Sequence, residues 1–147
     1  IKWKYEYPMT TTVSYPAGPR CTPIIEEDRV TTLGSEGHLA CLSRKDGRLI
    51  WKRELREDYQ TNSALWGYAA HPLIDGPRLI TLAGTQGNQT VALNKLTGEE
   101  VWRYGTATEQ GYSPPTICQV GKMRQLILAN PSAINAVDPE TGKELWS

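Results

Sequence analysis

The residues that could be combined into a metal site are Cys21, Cys41, Cys118 and His38. Protein zinc sites usually draw their ligands from short Cys-x-x-Cys or His-x-x-x-His spacings. No two of these cysteines have such a spacing, and an odd number of cysteines cannot all pair within one chain. The sequence therefore predicts no metal site, and it predicts that the cysteines serve packing.

Candidate acid and base groups are just as isolated. His71 lies beside Pro72 at the start of a predicted strand and could act as a general base, but a lone histidine there is more often structural. Glu57 and Asp58 are adjacent acids, whereas a calcium site needs several oxygen ligands from converging elements. We predict a solvated loop over residues 55–59 and no catalytic residue.

Charge and hydropathy exclude two classes of partner. The 147 residues contain 16 Lys and Arg against 16 Asp and Glu, and the basic residues are dispersed. Nucleic acids and anionic membranes attract clustered basic residues. The sequence also contains no apolar run near the roughly 18 residues that span a bilayer. We therefore expect neither nucleic-acid binding nor membrane insertion.

The elements that position these residues come from an internal repeat. Residues 41–51, 92–102 and 136–146 align without a gap, each with a small residue, an apolar residue, a four-residue turn, a glycine and a tryptophan. The glycine always lies four residues before the tryptophan. The tryptophans at 3, 51, 102 and 146 are separated by 48, 51 and 44 residues. A period of 40–50 residues is typical of propellers and solenoids.

Each repeat reads as four short strands. Runs of β-branched and aliphatic residues are bounded by Gly, Pro, Asn and Asp, and no long stripe of period 3.6 is present. The glycine of the turn is needed because a tight turn requires a residue that tolerates φ > 0. In the middle repeat the predicted strands are 71–74, 78–82, 90–93 and 99–104.

The first seven residues alternate apolar and polar side chains, as a half-buried strand does. We predict that they form the last strand of a preceding unit. The domain organisation is then this strand at 1–7, followed by units at 8–51, 52–102 and 103–147.

The segment Ala-Val-Asp-Pro-Glu-Thr-Gly-Lys-Glu-Leu-Trp at 136–146 resembles the tryptophan-docking motif of pyrroloquinoline-quinone (PQQ)-type repeats. The resemblance covers essentially the whole chain. It implies an all-β fold, a β-propeller of four-stranded antiparallel blades, with about three blades of a partial ring and one extra N-terminal strand. A Gly37-His38 pair invites comparison with WD-type propellers, but no repeat ends in Trp-Asp.

The same resemblance implies structural docking residues. In this family the tryptophan packs between blades, against the small first residue of the motif and the glycine peptide. By similarity the docking residues are Trp3, Trp51, Trp102, Trp146, Gly47, Gly98, Gly142, Ala92 and Ala136.

The family contains both enzymes and cofactor-free propellers. Quinoprotein dehydrogenases bind PQQ and calcium, and they place a vicinal cysteine pair, a catalytic Asp and a calcium-binding carboxylate near the cofactor. No two cysteines are adjacent in this chain. We therefore predict no cofactor, and the alternative that the chain is part of a PQQ-dependent dehydrogenase stays open.

The segments that join one blade to the next, 4–22, 52–71 and 103–114, are long, aromatic and polar. Loops on a rigid scaffold often carry recognition, and aromatic residues are enriched in binding surfaces. Packing beneath the loops is the alternative role for the same side chains. The candidate binding residues are Tyr15, Arg20, Tyr59, Trp66, Tyr68, His71 and Tyr112.

We therefore expect a non-catalytic propeller scaffold that recognises a protein or surface ligand through its inter-blade loops. The resemblance alone implies a bacterial protein in the periplasm or outside the cell. Three blades leave apolar faces uncovered, so we expect either further blades of a longer protein or a homo-oligomer that completes the ring. A purely structural assembly protein is a further alternative.

Overall fold

The computed structural model describes residues 1–14 and 18–147. The strands form three four-stranded antiparallel sheets, each a simple meander of consecutive strands. This confirms the all-β fold and the partial set of propeller blades. The chain divides into two compact units, Ile1–Ala69 with the first sheet and Ala70–Ser147 with the other two, and each is described by itself.

The first unit contains four strands and one helical turn. They are β1 (Ile24–Glu26), β2 (Arg29–Leu33), β3 (His38–Ser43), β4 (Leu49–Glu54) and α1 (Leu55–Asp58). The solvated loop predicted over residues 55–59 is wrong: Leu55–Asp58 form helical turn α1, and the buried side chains of Leu55 and Tyr59 anchor it. None of the described helices is long and apolar enough to cross a bilayer.

The second unit contains two sheets. Its strands are β5 (Leu73–Asp75), β6 (Arg78–Leu82), β7 (Thr90–Asn94), β8 (Glu100–Tyr104), β9 (Thr116–Val120), β10 (Met123–Ala129), β11 (Ile134–Val137) and β12 (Glu144–Trp146). The four strands predicted for the middle repeat are confirmed, with ends that shift by at most two residues. Local hairpin chemistry fixes them, since Gly76 and Gly98 both have positive φ.

Each sheet places the small residue of the motif opposite the tryptophan. Cys41 pairs with Trp51, Ala92 with Trp102, and Ala136 with Trp146. The register shifts directly after each small residue, which marks a β-bulge or irregularity at the same point of every repeat. A small side chain leaves room for an indole on the facing strand, because opposite Cβ atoms lie only about 5 Å apart.

The glycine of each repeat closes the turn between the third and fourth strands. Gly47, Gly98 and Gly142 have φ of 72°, 76° and 70°, which confirms the predicted left-handed conformation. Their amides donate to the carbonyls of Ser43, Asn94 and Asp138 at 2.8, 2.8 and 2.9 Å. The turn thereby fixes the register of the last hairpin of each repeat.

Gly142 combines this conformation with a close approach to an indole. A Cβ at position 142 would lie 2.7 Å from Cε3 of Trp102, whereas a Cβ at Gly121, also at positive φ, would meet nothing within 4 Å. We expect Gly121→Ala to lower the free energy of unfolding by about 1 kcal/mol through backbone strain. Gly142→Ala should cost about 1–3 kcal/mol more through overpacking. Urea unfolding of both variants measures the difference, and equal losses would contradict the contact.

Residues 1–7 are not assigned to a strand. A strand needs a ladder partner, and the described residues provide none for this segment. Its burial still alternates as predicted, with Trp3, Tyr5 and Tyr7 half-buried and the residues between them exposed. Its assignment to a preceding blade stays a prediction.

Candidate functional site

The first unit contains a cleft of about 400 Å³ beside the inter-blade segments. Three parts of the chain form it: the N-terminal segment, the β2–β3 hairpin, and the segment that follows β4. Its lining residues are Tyr7, Pro8, Met9, Thr10, Glu36, His38, Glu54, Arg56, Glu57 and Thr61. The cleft is thus built where the chain crosses from one repeat to the next.

Glu36 joins these parts. Its side chain is only 6% exposed, and it lies in the β2–β3 turn. It accepts hydrogen bonds from the Thr12 amide and hydroxyl, from the Val13 amide at 3.2 Å and from the Ser63 hydroxyl at 2.8 Å. The Arg56 guanidinium completes the set at 2.7 Å. A buried carboxylate needs such partners, and here they hold three segments in one arrangement.

Burial on its own would raise the pKa of Glu36. Hydrogen bonds from the Thr12 amide, from the Ser63 and Thr12 hydroxyls and from the Val13 amide outweigh burial, so the pKa lies below its ordinary value of 4.5. Hydrogen bonding to the charged form favours that form. Glu36 is therefore ionised at neutral pH.

The lowered pKa of Glu36 makes the stability of the fold depend on pH. Such a group stabilises the folded state above its ordinary pKa, and this contribution is lost as the pH falls through the lowered, folded-state pKa. We expect the free energy of unfolding to decrease as the pH falls below 4.5. Glu36→Gln should lack this component, which urea unfolding at neutral and acidic pH would measure. An identical pH dependence in both proteins would contradict it.

His38 is the second buried polar residue of the cleft. The Tyr5 hydroxyl lies 3.0 Å from its Nε2, and its Nδ1 lies 2.8 Å from Oε1 of Glu54. The ring of Tyr7 stacks on the imidazole with centroids 3.7 Å apart, and Lys52 donates to the same Glu54 oxygen at 3.0 Å. Both imidazole nitrogens therefore have a partner. Burial, with the charges of Tyr5 and Glu54, raises the pKa of Tyr7.

The candidate loop residues lie in different surroundings. Tyr59 and Tyr68 are buried, whereas Trp66 is 42% exposed, and His71 is also exposed. A Cβ at Gly37 would lie 2.9 Å from the Tyr68 ring, so that ring packs beneath the β2–β3 turn.

The other candidates lie elsewhere in the loops. Arg20 Nη1 donates to the Gly18 carbonyl at 2.7 Å. Tyr112 lines a second cavity, of about 240 Å³, with the turn after β10 in the second unit. Tyr15 lies outside the described residues.

The tryptophans named as docking residues differ in burial. In the first unit, Trp3 Nε1 donates to the Arg44 carbonyl at 2.9 Å, and a Cβ at Gly47 would lie 2.5 Å from its ring. In the second unit, Trp102 Nε1 donates to the Pro139 carbonyl at 3.3 Å. Trp146 is 45% exposed. The other members of the set are buried, namely Trp51, Ala92, Gly98 and Ala136.

The cysteines are free thiols, and Cys21 and Cys41 are buried. Burial raises the pKa of Cys21 to about 11, so its thiolate is scarce at neutral pH. Among residues 1–14 and 18–147, no three His, Cys, Asp or Glu side chains are grouped so that they could hold a metal ion.

The glutamate-centred cleft was not predicted from the sequence. In the sequence, Glu36 is part of a Gly-rich turn. Its partners Thr12, Arg56 and Ser63 lie 20 to 27 residues away along the chain. The sequence singled out His38 only in the search for a metal set and in the WD comparison. An acidic residue inside a glycine turn was the one available signal.

A family model described as outer membrane protein assembly factor BamB matches residues 3–147. The chain belongs to this PQQ-like repeat family. The predicted resemblance to PQQ-type propellers is thereby confirmed.

Relatives within the PQQ-like repeat family are longer proteins. The quinoprotein ethanol dehydrogenase of Pseudomonas aeruginosa is 28% identical over 144 residues, which cover 88% of this chain and 22% of that protein. The quinohemoprotein alcohol dehydrogenase ADH-IIG of Pseudomonas putida is 24% identical, over 99% of this chain and 21% of its own length. The chain thus spans about a fifth of the curated relatives it matches.

A solved structure shows the same fold. BamB from Moraxella catarrhalis superposes with a TM-score of 0.63 at 21% identity, over 99% of this chain and 38% of that one. At this identity the likeness shows the fold alone. The PQQ-like repeat family thus includes both an assembly factor and dehydrogenases with the same repeats, and fold cannot choose between their functions.

Proposed function

We propose that this protein is a non-catalytic binding module that recognises a protein or a surface ligand through its inter-blade loops. The observation that carries the proposal is the cleft of the first unit, where Glu36 and its hydrogen-bond partners hold three segments in one arrangement. A site that is rigid before the ligand arrives binds with a lower entropic cost.

An exposed loop of the first unit offers a second recognition feature. Leu65 and Trp66 are 60% and 42% exposed, and the Leu65 carbonyl accepts a hydrogen bond from the Ser14 amide at 3.3 Å. The exposed pair thus sits on a loop that is tied to the N-terminal segment. Tryptophan is enriched among the residues that dominate binding energy in protein interfaces.

We place the protein in the periplasm or outside the cell. The support is the family description, an outer membrane protein assembly factor, and the bacterial origin of the relatives. Further blades of the same protein or a homo-oligomer would complete the ring, because closure protects the edges of a propeller.

A PQQ-dependent dehydrogenase is the second candidate, favoured by the two curated relatives. The residues of this chain do not fit the ligand set that the resemblance implies. Cys21, Cys41 and Cys118 are not adjacent, and no metal-binding group is present in the described part of the chain. A cofactor site of that kind would therefore need ligands other than the residues that the structure describes.

An assembly protein is the third candidate, favoured by apolar side chains on the last sheet. Val120, Met123, Ile134 and Trp146 are all 45–58% exposed. Exposed apolar surface of this kind marks interaction sites. Light scattering of the chain decides this case, because a strictly monomeric, stable chain would argue against assembly.

Adding PQQ and calcium to the intact protein separates the first two candidates. We expect neither dye-linked alcohol oxidation nor an increase in the unfolding temperature. If both appear, the non-catalytic proposal is wrong and the dehydrogenase takes its place. A known quinoprotein dehydrogenase, stripped of its cofactor and reloaded, serves as the positive control.

A further inference from the structure

The lining of the cleft carries more carboxylates than cations. Glu36, Glu54 and Glu57 line it together with a single guanidinium, that of Arg56. Lys52 neutralises part of this charge by pairing with Glu54. The excess of negative charge disfavours phosphate or carboxylate ligands, because like charges repel strongly near a protein surface.

Several hydrogen-bonding groups of the lining have no partner. Oε1 of Glu54 is shared by His38 and Lys52, but its Oε2 has no hydrogen-bond partner among residues 1–14 and 18–147. The Glu57 carboxylate is exposed and likewise has none in that part of the chain. The cleft therefore offers acceptor oxygens to a ligand that can donate hydrogen bonds.

A donor without a partner accompanies these acceptors. Nη1 of Arg56 donates to Glu36, the side chain is 30% exposed, and no described residue accepts a hydrogen bond from its Nη2. A ligand oxygen next to the guanidinium would accept from this donor in a charge-assisted hydrogen bond. A cation could pair with the carboxylates but could not accept from Arg56, so it would leave this donor unused.

The remaining wall is apolar and aromatic. Tyr7, Pro8 and Met9 line the same cleft, and Met9 is 41% exposed. Small-molecule sites typically combine apolar and aromatic walls with a few placed polar groups, in a volume of about 300–1,000 Å³. The 400 Å³ of this cleft lies within that range.

We propose that the cleft of the first unit binds a neutral saccharide. A sugar hydroxyl donates and accepts at once, as the hydroxyls of Ser and Thr do, and so serves Glu54, Glu57 and the Arg56 donor together. The C–H face of a sugar ring packs on the wall at Tyr7 and Met9. This inference rests on the proposed function and names the chemistry of the surface ligand.

Titration of the isotope-labelled full chain, followed by amide NMR, tests the inference. The probes are maltotriose, cellotriose and N,N′-diacetylchitobiose, with Nα-acetyl-lysine amide as a cationic probe, each up to about 50 mM, which saturates a site with a Kd of about 1 mM. We expect at least one sugar to cause saturable shifts at Tyr7, Glu54 and Glu57. Glu57→Ala should weaken that binding about tenfold.

The matched control is Glu140→Ala, which changes an exposed acid of the last repeat and should leave the sugar affinity unchanged. The inference is overturned if no probe causes shifts or if the lysine probe alone does. It is also overturned if Glu57→Ala binds the sugar as tightly as the unaltered protein. Failure of every sugar while loop residues still contact a partner in cells would leave the proposed function standing. If no sugar binds and the loop residues contact no partner in cells, the proposed function is wrong as well.

Discussion

Replacing Trp102 by alanine should lower the free energy of unfolding by about 3–5 kcal/mol. Trp102 is 7% exposed and packs in a cluster with fully or nearly fully buried neighbours of the second unit. These neighbours are Ile80, Ala92, Leu126, Leu128 and Val137. The substitution removes this contact area and also the hydrogen bond from Nε1 to the Pro139 carbonyl. Urea unfolding followed by circular dichroism measures the loss.

The matched control is Trp146→Ala, at the same position of the next motif. Trp146 is 45% exposed, and its Nε1 donates to Oε1 of Gln125 at 2.8 Å. Since the gain from burial scales with the apolar area removed from water, its loss should be smaller than that of Trp102→Ala. Equal losses in the two variants would contradict the packing described for the second unit.

Replacing Glu36 by alanine should lower the free energy of unfolding by about 3 kcal/mol. Removing one member of a buried ion pair leaves its partner uncompensated, and here the Thr12, Val13 and Ser63 donors lose their acceptor as well. Hydrogen exchange should show faster exchange of the Thr12 and Val13 amides. Urea unfolding gives the free energy.

Two further variants make the Glu36 result specific. Glu36→Gln keeps an acceptor oxygen but loses the charge, so it should cost less than alanine. Glu57→Ala changes an exposed acid of the same cleft and should alter stability by no more than about 0.5 kcal/mol. If Glu57→Ala were as damaging as Glu36→Ala, Glu36 would not be the residue that holds the segments together.

The parts of the fold that the sequence predicts are those that local chemistry determines. A glycine at positive φ ends the same hairpin in every repeat, and Cys41, Ala92 and Ala136 leave room for the facing indole. Each of these relations lies within about ten residues of chain. A repeated spacing of such local signals is visible without any knowledge of the three-dimensional structure.

The candidate site could not be predicted in the same way. The hydrogen bonds of Glu36 join segments whose approach depends on the tertiary fold, and no spacing rule connects Thr12, Glu36 and Ser63. The sequence also did not predict which loop aromatics are buried: Tyr59 and Tyr68 are buried, whereas Trp66 is exposed. Side chains of one chemical class fill both roles, so composition alone cannot separate packing from recognition.

The most direct test of binding through the inter-blade loops is site-specific photo-crosslinking in cells that naturally carry the gene. A photoreactive residue replaces Glu57 in the cleft, Trp66 in the exposed loop, or Thr97, which is exposed in the β7–β8 turn. We predict a discrete crosslinked species from positions 57 and 66 and none from position 97. Equal labelling at all three positions, or labelling at position 97 alone, would contradict recognition through the loops.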